Sequence, residues 1–227
     1  MKKGKLVVIE GNDGSGKGTQ LNLLLEYLKI NNISHSFYDF PQYGKTFFGD
    51  FVGEFLNGKF GHVSRINPYL SMFPYAGDRW QVKDKLNKDL DTHNLVLCNR
   101  YAPSIAYQLT KIKPQDRISF LNWAEKLEYD IFGIPREDLV IFLYVPFNIA
   151  HKLIEKKVKR DYLKDKFRDQ NEENIKYLQR VEKMYIWLNK YKKNWALINC
   201  VKNNILLSPE NIHNNIINIL KEKGYLG

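Results

Sequence analysis

A chain of 227 residues that is 44% hydrophobic and 26% charged is long enough for one substantial core and too apolar to be disordered. Its net charge of +10 points to an anionic partner without choosing among nucleotide, nucleic acid and acidic membrane. Two cysteines in separate apolar stretches, Cys98 and Cys200, exclude a disulfide scaffold and a cysteine-based zinc site. In chain order, "KLVVIE" (5–10) reads as a buried strand, and residues 17–30 as a helix with Leu21, Leu24, Leu25 and Leu28 on one face. "SHSFYDF" (34–40) is a second strand stopped by Pro41. A helix follows over 45–57, then one or two over 67–91, with Pro74 expected to kink or end the first. "NLVLCNR" (94–100) is the third strand, Pro103 opens another helix, and 115–132 gives one more. "DLVIFLYV" (138–145) is apolar enough to be central. Residues 147–158 and 171–193 read as helices, "WALINCV" (195–201) as a fifth strand, and 208–223 as a closing helix capped by Ser208 with Pro209 at its first position.

Strands alternating with helices argue for one α/β domain over 1–227, a five-stranded parallel sheet with helices on both faces. The apolar run near the N-terminus ends at Glu10, too short for a signal peptide, and no stretch approaches a membrane span, so a soluble cytoplasmic protein is expected. One segment departs in texture: 155–173, dense in both signs of charge, reads as a short lid or a solvated helix.

The chemistry starts at the first strand's end. Gly11, Asn12, Asp13, Gly14, Ser15, Gly16, Lys17, Gly18 and Thr19 fit G-x-x-x-x-G-K between a strand and a helix, the P-loop of nucleotide-binding folds. Phosphate oxygens must approach backbone N–H groups closely, so the loop needs residues without a β-carbon, some at positive φ. The helix that follows adds its positive end, and Lys17 is a point charge for the β and γ phosphates of ATP. The residue after Lys17 is Gly18, so the nearest hydroxyl is displaced to Thr19.

Four further segments, in order along nearly the whole chain, carry a family resemblance: "DFPQYGKTFFGDFVGEFLNGKFG", "NPYLSMFPYAGDRWQVKDKL", "VLCNRYAPSIAYQ" and "KKVKRDYLKDKFRDQ". With the loop they resemble thymidylate kinases. The resemblance implies transfer of a phosphoryl group from ATP to dTMP in dTTP biosynthesis, with Mg2+ as cofactor, dTMP and ATP as small-molecule substrates, no nucleic-acid or membrane partner, and a homodimer. The apolar character of 45–56 and 118–132 would allow such a dimer. The resemblance also implies roles. Lys17 is the loop lysine, and Asp13 meets the acceptor's sugar or its metal. Pro41 and Tyr43 line the acceptor phosphate, Tyr75 stacks on thymine and Arg79 reaches the base. Arg100 holds the acceptor phosphate, while Ser104 and Gln108 meet the base edge and the deoxyribose. The tyrosine expected near the sugar is out of place: Tyr107 lies one position away, and Gln108 occupies its spot.

Two departures matter. Many family members carry Asp-Arg after the third strand, where this chain has Asn99-Arg100; asparagine keeps an oxygen donor and loses the charge, leaving the metal's ligands open. Some members place an arginine where this loop has Gly14. The segment 155–173 offers Lys156, Lys157, Lys159, Arg160, Lys164 and Arg168 in exchange, and Arg160 is the expected catalytic cation. A kinase for UMP, CMP or AMP, or a deoxynucleoside kinase, fits the Gly18-Thr19 pair as well. The distant alternative is a P-loop ATPase that engages nucleic acid.

Overall fold

The computed structural model describes residues 3–61, 63–155 and 175–226. Five parallel strands form its sheet in the order β2-β3-β1-β4-β5. They are β1 (Lys5–Glu10), β2 (His35–Asp39), β3 (Leu95–Asn99), β4 (Leu139–Tyr144) and β5 (Trp195–Asn199). Strand β1 lies at the centre, Val7 opposite Leu97 of β3 and Val8 opposite Val140 of β4. A parallel strand covered on both faces has to be apolar throughout. Val7 and Ile9 join one core with Leu21, Leu24 and Leu28 of α1 (Lys17–Ile30) and Ile212, Ile216 and Leu220 of α9 (Pro209–Glu222). Leu6 and Val8 face the other way, onto Leu86 and Leu90 of α4 (Lys83–Thr92). Leu24 is wholly buried, and truncating it to alanine would cost about 2–5 kcal/mol.

The other α-helices among the described residues are α2 (Phe47–Leu56), α3 (Pro68–Gln81), α5 (Ala106–Leu109), α6 (Arg117–Glu125), α7 (Phe147–Glu155) and α8 (Ile175–Tyr191). Three sequence expectations need correcting. Of the kink or early break expected at Pro74, the break does not occur, since α3 runs on through it; the carbonyl deprived of its partner belongs to Leu70, which is 65% exposed. The helix expected over 115–132 is α6 followed by a π-helical stretch, Lys126–Ile131. The fifth strand ends at Asn199, and Val201–Lys202 (β6) pairs antiparallel with Ile205–Leu206 (β7) around Asn203 and Asn204, both at positive φ. An Asn-Asn pair, both residues tolerant of positive φ, is the signal for that hairpin. The closing helix has the expected cap, Ser208 Oγ accepting from the Asn211 N–H at 3.2 Å. Both cysteines are free and buried.

Candidate active site

The carboxyl ends of β1, β3 and β4 lie side by side, and the loop of 11–16 leaves β1 there, where open parallel sheets bind ligands. Its glycines answer to geometry. Gly14 and Gly16 have φ of 83° and 85°. A β-carbon on Gly11 would lie 2.7 Å from the Leu143 carbonyl oxygen of β4 and 2.6 Å from Ser15 Oγ. The loop therefore closes tightly against the sheet only because residue 11 has no side chain. Lys17 Nζ donates to the carbonyls of Gly11 (2.8 Å) and Asn12 (3.0 Å), which holds its charge over the loop. Asn12 Oδ1 and Ser15 Oγ are buried without a hydrogen-bond partner. Gly18 and Thr19 are exposed in the first turn of α1.

Beside the loop opens a cleft of about 770 Å³, the solvent at its mouth included. Asp13, Pro41, Tyr43, Tyr75, Arg79, Arg100, Ser104 and Gln108 all line it, drawn together from the loop, the 40–46 turn, α3 and the segment after β3. Arg100 follows β3 at φ 61°, a conformation that a non-glycine residue adopts at some cost. Its guanidinium pairs with Asp13 Oδ1 and lies 5.2 Å over the Tyr107 ring. Tyr107 OH donates to Asp13 Oδ2 at 2.9 Å. Burial opposes the Arg100 charge, but Tyr107, Asp13, Tyr185 and Glu10 around it outweigh burial, and the group is held above its ordinary range. Burial likewise raises the Tyr107 phenol, against the lowering influence of Arg100, so it stays a donor to Asp13.

The other walls are equally fixed. Asp78 accepts from the Gln42 N–H at 2.9 Å and from Thr46 Oγ1, which fastens the turn carrying Pro41 and Tyr43 to α3. Burial raises the Asp78 carboxyl despite those bonds. Tyr75 packs edge-on against Phe55. Arg79 forms a two-pronged pair with Glu128, Nε to Oε2 at 3.0 Å and Nη2 to Oε1. Ser104 Oγ donates to Glu10 Oε1 at 2.8 Å, so towards a ligand it is an acceptor. Gln108 is buried with Oε1 unpartnered.

Sequence reading missed several residues. Glu10, wholly buried, accepts from the Tyr101 N–H (3.1 Å), Ser104 Oγ and Tyr185 OH (2.7 Å), and so ties the segment presenting Arg100 to β1 and α8. A glutamate closing an otherwise apolar strand was the available signal. Tyr107 reaches Asp13 because Ala102–Ile105 is a 3-10 turn of 4 residues. Each such residue advances about 20° further than in an α-helix, about 80° in all, which offsets a count by almost one residue. Phe40, Leu56, Met72, Asp78 and Ile105 complete the lining among the described residues. Arg160 and the other basic residues of 156–174 lie outside the described residues, as does nearly all of the expected lid.

A phosphate-binding loop that shares an aspartate with an arginine-lined, aromatic-walled cleft defines a P-loop nucleoside monophosphate kinase. The thymidylate kinase family profile matches residues 9–216, and the chain belongs to that family. It is 33% identical over 150 residues to the thymidylate kinase of Plasmodium falciparum, a match covering 66% of this chain and 65% of that protein. It is 34% identical over 163 residues to a probable thymidylate kinase of Methanococcus maripaludis, covering 72% and 71%. The solved thymidylate kinase of Candida albicans has the same fold, with a TM-score of 0.75 at 18% identity over 98% of this chain and 93% of that one.

Proposed function

We propose that this protein, acting as a single domain, transfers the γ-phosphoryl group of ATP to dTMP, giving dTDP and ADP. The observation that carries the reading is the double position of Asp13, a member of the phosphate loop that is also a wall of the cleft and the partner of Arg100. A donor held by the loop and an acceptor phosphate held at Arg100 would then meet across one residue. An oxygen of the acceptor phosphate attacks the γ phosphorus, the bond to the β-bridging oxygen breaks, and ADP leaves. The acceptor is already an anion, so no strong general base is needed; positioning and positive charge do the catalysis. Lys17 compensates the donor and Arg100 the acceptor. Tyr75 supplies a face for the base and Arg79 a donor to its edge. Tyr107 and Asp13 face the sugar. Arg160 is assigned from sequence as the cation on the transferring group, and Arg160→Ala should lower kcat and leave the acceptor KM unchanged.

Mg2+ fits sparingly. Among the described residues no three His, Cys, Asp or Glu side chains cluster as a metal site, and Asp13 is already engaged by Arg100 and Tyr107. Asn99 Oδ1, however, is buried and unpartnered beside the loop's strand, its amide donating to Asp39 at 2.7 Å. Asn99 and Asp13 would supply one or two oxygens, with phosphates and water completing the shell, as Mg2+ tolerates. When bound, the ion neutralises and orients the triphosphate.

The homodimer reading rests on an apolar face. Tyr69, Phe73 and Trp80 of α3 are part-exposed beside Trp123 and Phe132. Sedimentation should give about twice the chain mass of 26.8 kDa. No described helix is long and apolar enough to cross a membrane. The deciding test is a panel of dTMP, dUMP, UMP, CMP, AMP and thymidine with ATP. Fastest turnover of dTMP is expected; preference for thymidine would move the protein to the nucleoside kinases.

A further inference from the structure

Arg79 and Glu128 form a buried ion pair that stability does not explain. Their side chains are 5% and 2% exposed. Desolvating two charges offsets much of their attraction, and apolar replacement of both partners is commonly tolerated, whereas loss of one strands a buried charge. The two residues occupy different places. Arg79 lines the acceptor cleft, while Glu128 lies behind it, lining a second, smaller cavity with Tyr129 and Glu137. Glu128 therefore reaches the cleft only through the guanidinium. Its carboxylate takes the Nε–Nη2 edge of Arg79, so Nη1 is the guanidinium nitrogen that Glu128 does not engage, on a residue that lines the cleft.

The local backbone serves this placement. Leu127 and Glu128, consecutive, are both buried. They sit in the π-helical stretch Lys126–Ile131, closed by Phe132 N–H to Leu127 O (2.9 Å) and Ile134 N–H to Glu128 O (3.1 Å). The wider turn admits an extra residue and lets a neighbour of the core leucine face inward as well. The Arg79 guanidinium is backed by the Tyr101 ring at 5.9 Å.

Building on the proposed dTMP kinase reading, we infer that Glu128 is a positioning residue that sets base selectivity: it holds Arg79 as a rigid donor-only edge in the acceptor cleft. Such an edge suits a base presenting a carbonyl oxygen, as thymine does. A base presenting an amino group there would leave donors facing donors, unpaired and buried. Glu128→Gln keeps the volume but turns one oxygen into an N–H2 that faces the guanidinium N–H groups.

The experiment measures kcat and KM for dTMP and dCMP with ATP in the wild type, Glu128→Gln, Glu128→Asp, Arg79→Met and Arg79→Met/Glu128→Gln. Wild-type turnover of dTMP tests the functional reading on its own; Glu128 is judged only by ratios between variants. In Glu128→Gln the dTMP KM should rise about tenfold or more, the scale of one charge-assisted hydrogen bond. Its kcat and ATP KM should change little, and the preference for dTMP over dCMP should shrink. Glu128→Asp should recover part of the loss, and Glu128→Gln should add nothing in the Arg79→Met background. An unchanged dTMP KM and base preference in folded Glu128→Gln, or a further KM loss in the Arg79→Met background, overturns the inference. Should Glu128→Gln fail to fold, Arg79→Met/Glu128→Leu replaces both charges: a dTMP KM equal to that of Arg79→Met supports the inference, and a worse one refutes it.

Discussion

Replacing Arg100 by methionine separates what the Arg100–Asp13 pair does for the fold from what it does for the acceptor. The side chains are 17% and 8% exposed, so the pair is largely but not fully desolvated. Stranding one member of a fully buried pair costs about 3–5 kcal/mol. Here Tyr107 continues to donate to Asp13 at 2.9 Å and solvent reaches Arg100, which brings the expected loss to about 2 kcal/mol. For a chain of this size that is a fall in Tm of about 4–8 °C. Arg100→Met/Asp13→Asn removes the stranded carboxylate and should recover most of it. Catalysis should not follow. Charge-assisted hydrogen bonds from arginine to phosphate contribute about 1.5–3 kcal/mol each, so acceptor kcat/KM should fall at least tenfold in both variants. Thermal unfolding and a coupled assay for ADP release measure the two effects. Full acceptor kcat/KM in Arg100→Met, or a double variant that stays as unstable as the single, would refute the reasoning.

Other expectations follow from the same geometry. Gly11→Ala puts a β-carbon 2.7 Å from the Leu143 carbonyl, so the loop must open; ATP affinity by calorimetry should drop at least tenfold while the circular dichroism spectrum stays that of the wild type. Tyr107→Phe removes the 2.9 Å bond to Asp13, and the KM for dTMP should rise about fivefold, about 1 kcal/mol; no change would free Asp13 of this partner. Burial, only partly countered by the Tyr129 hydrogen bond, pushes Glu137 up from 4.5 to about 7. The folded state then holds a proton that the unfolded chain has lost between those values. This contribution is complete below pH 4.5 and disappears as pH rises through about 7, amounting to about 3 kcal/mol. Glu137→Gln should therefore flatten the fall in Tm between pH 5 and pH 8, and an identical slope would contradict the assignment.

Much of the fold was legible because its signals are local. The apolar runs of β1, β3 and β4 can only be covered strands, and the leucine stripe of α1 can only face a sheet. The loop between them carries its chemistry in its glycines. The cleft residues were legible through resemblance, and they do converge. What stayed hidden depends on contacts distant in sequence. Nothing near Glu128 announces Arg79, because the π-helical turn that brings them together is selected by packing. The bond from Tyr107 to Asp13 was hidden as well, because it joins residues far apart in sequence. Helix α3 continues through Pro74 because its packing outweighs one lost hydrogen bond. The Asn203-Asn204 hairpin, like Glu10 at the end of β1, had a local signal that went unread.

The claim on which the rest depends is that loop and cleft hold two phosphates within reach of each other. A crystal structure with dTMP and a non-hydrolysable ATP analogue measures this directly. The terminal phosphate should lie on the 11–17 backbone and Lys17, and the dTMP phosphate on Arg100, with the attacking oxygen about 3–3.5 Å from the γ phosphorus. A dTMP phosphate bound away from Arg100, or an unfilled loop beside a filled cleft, would contradict it.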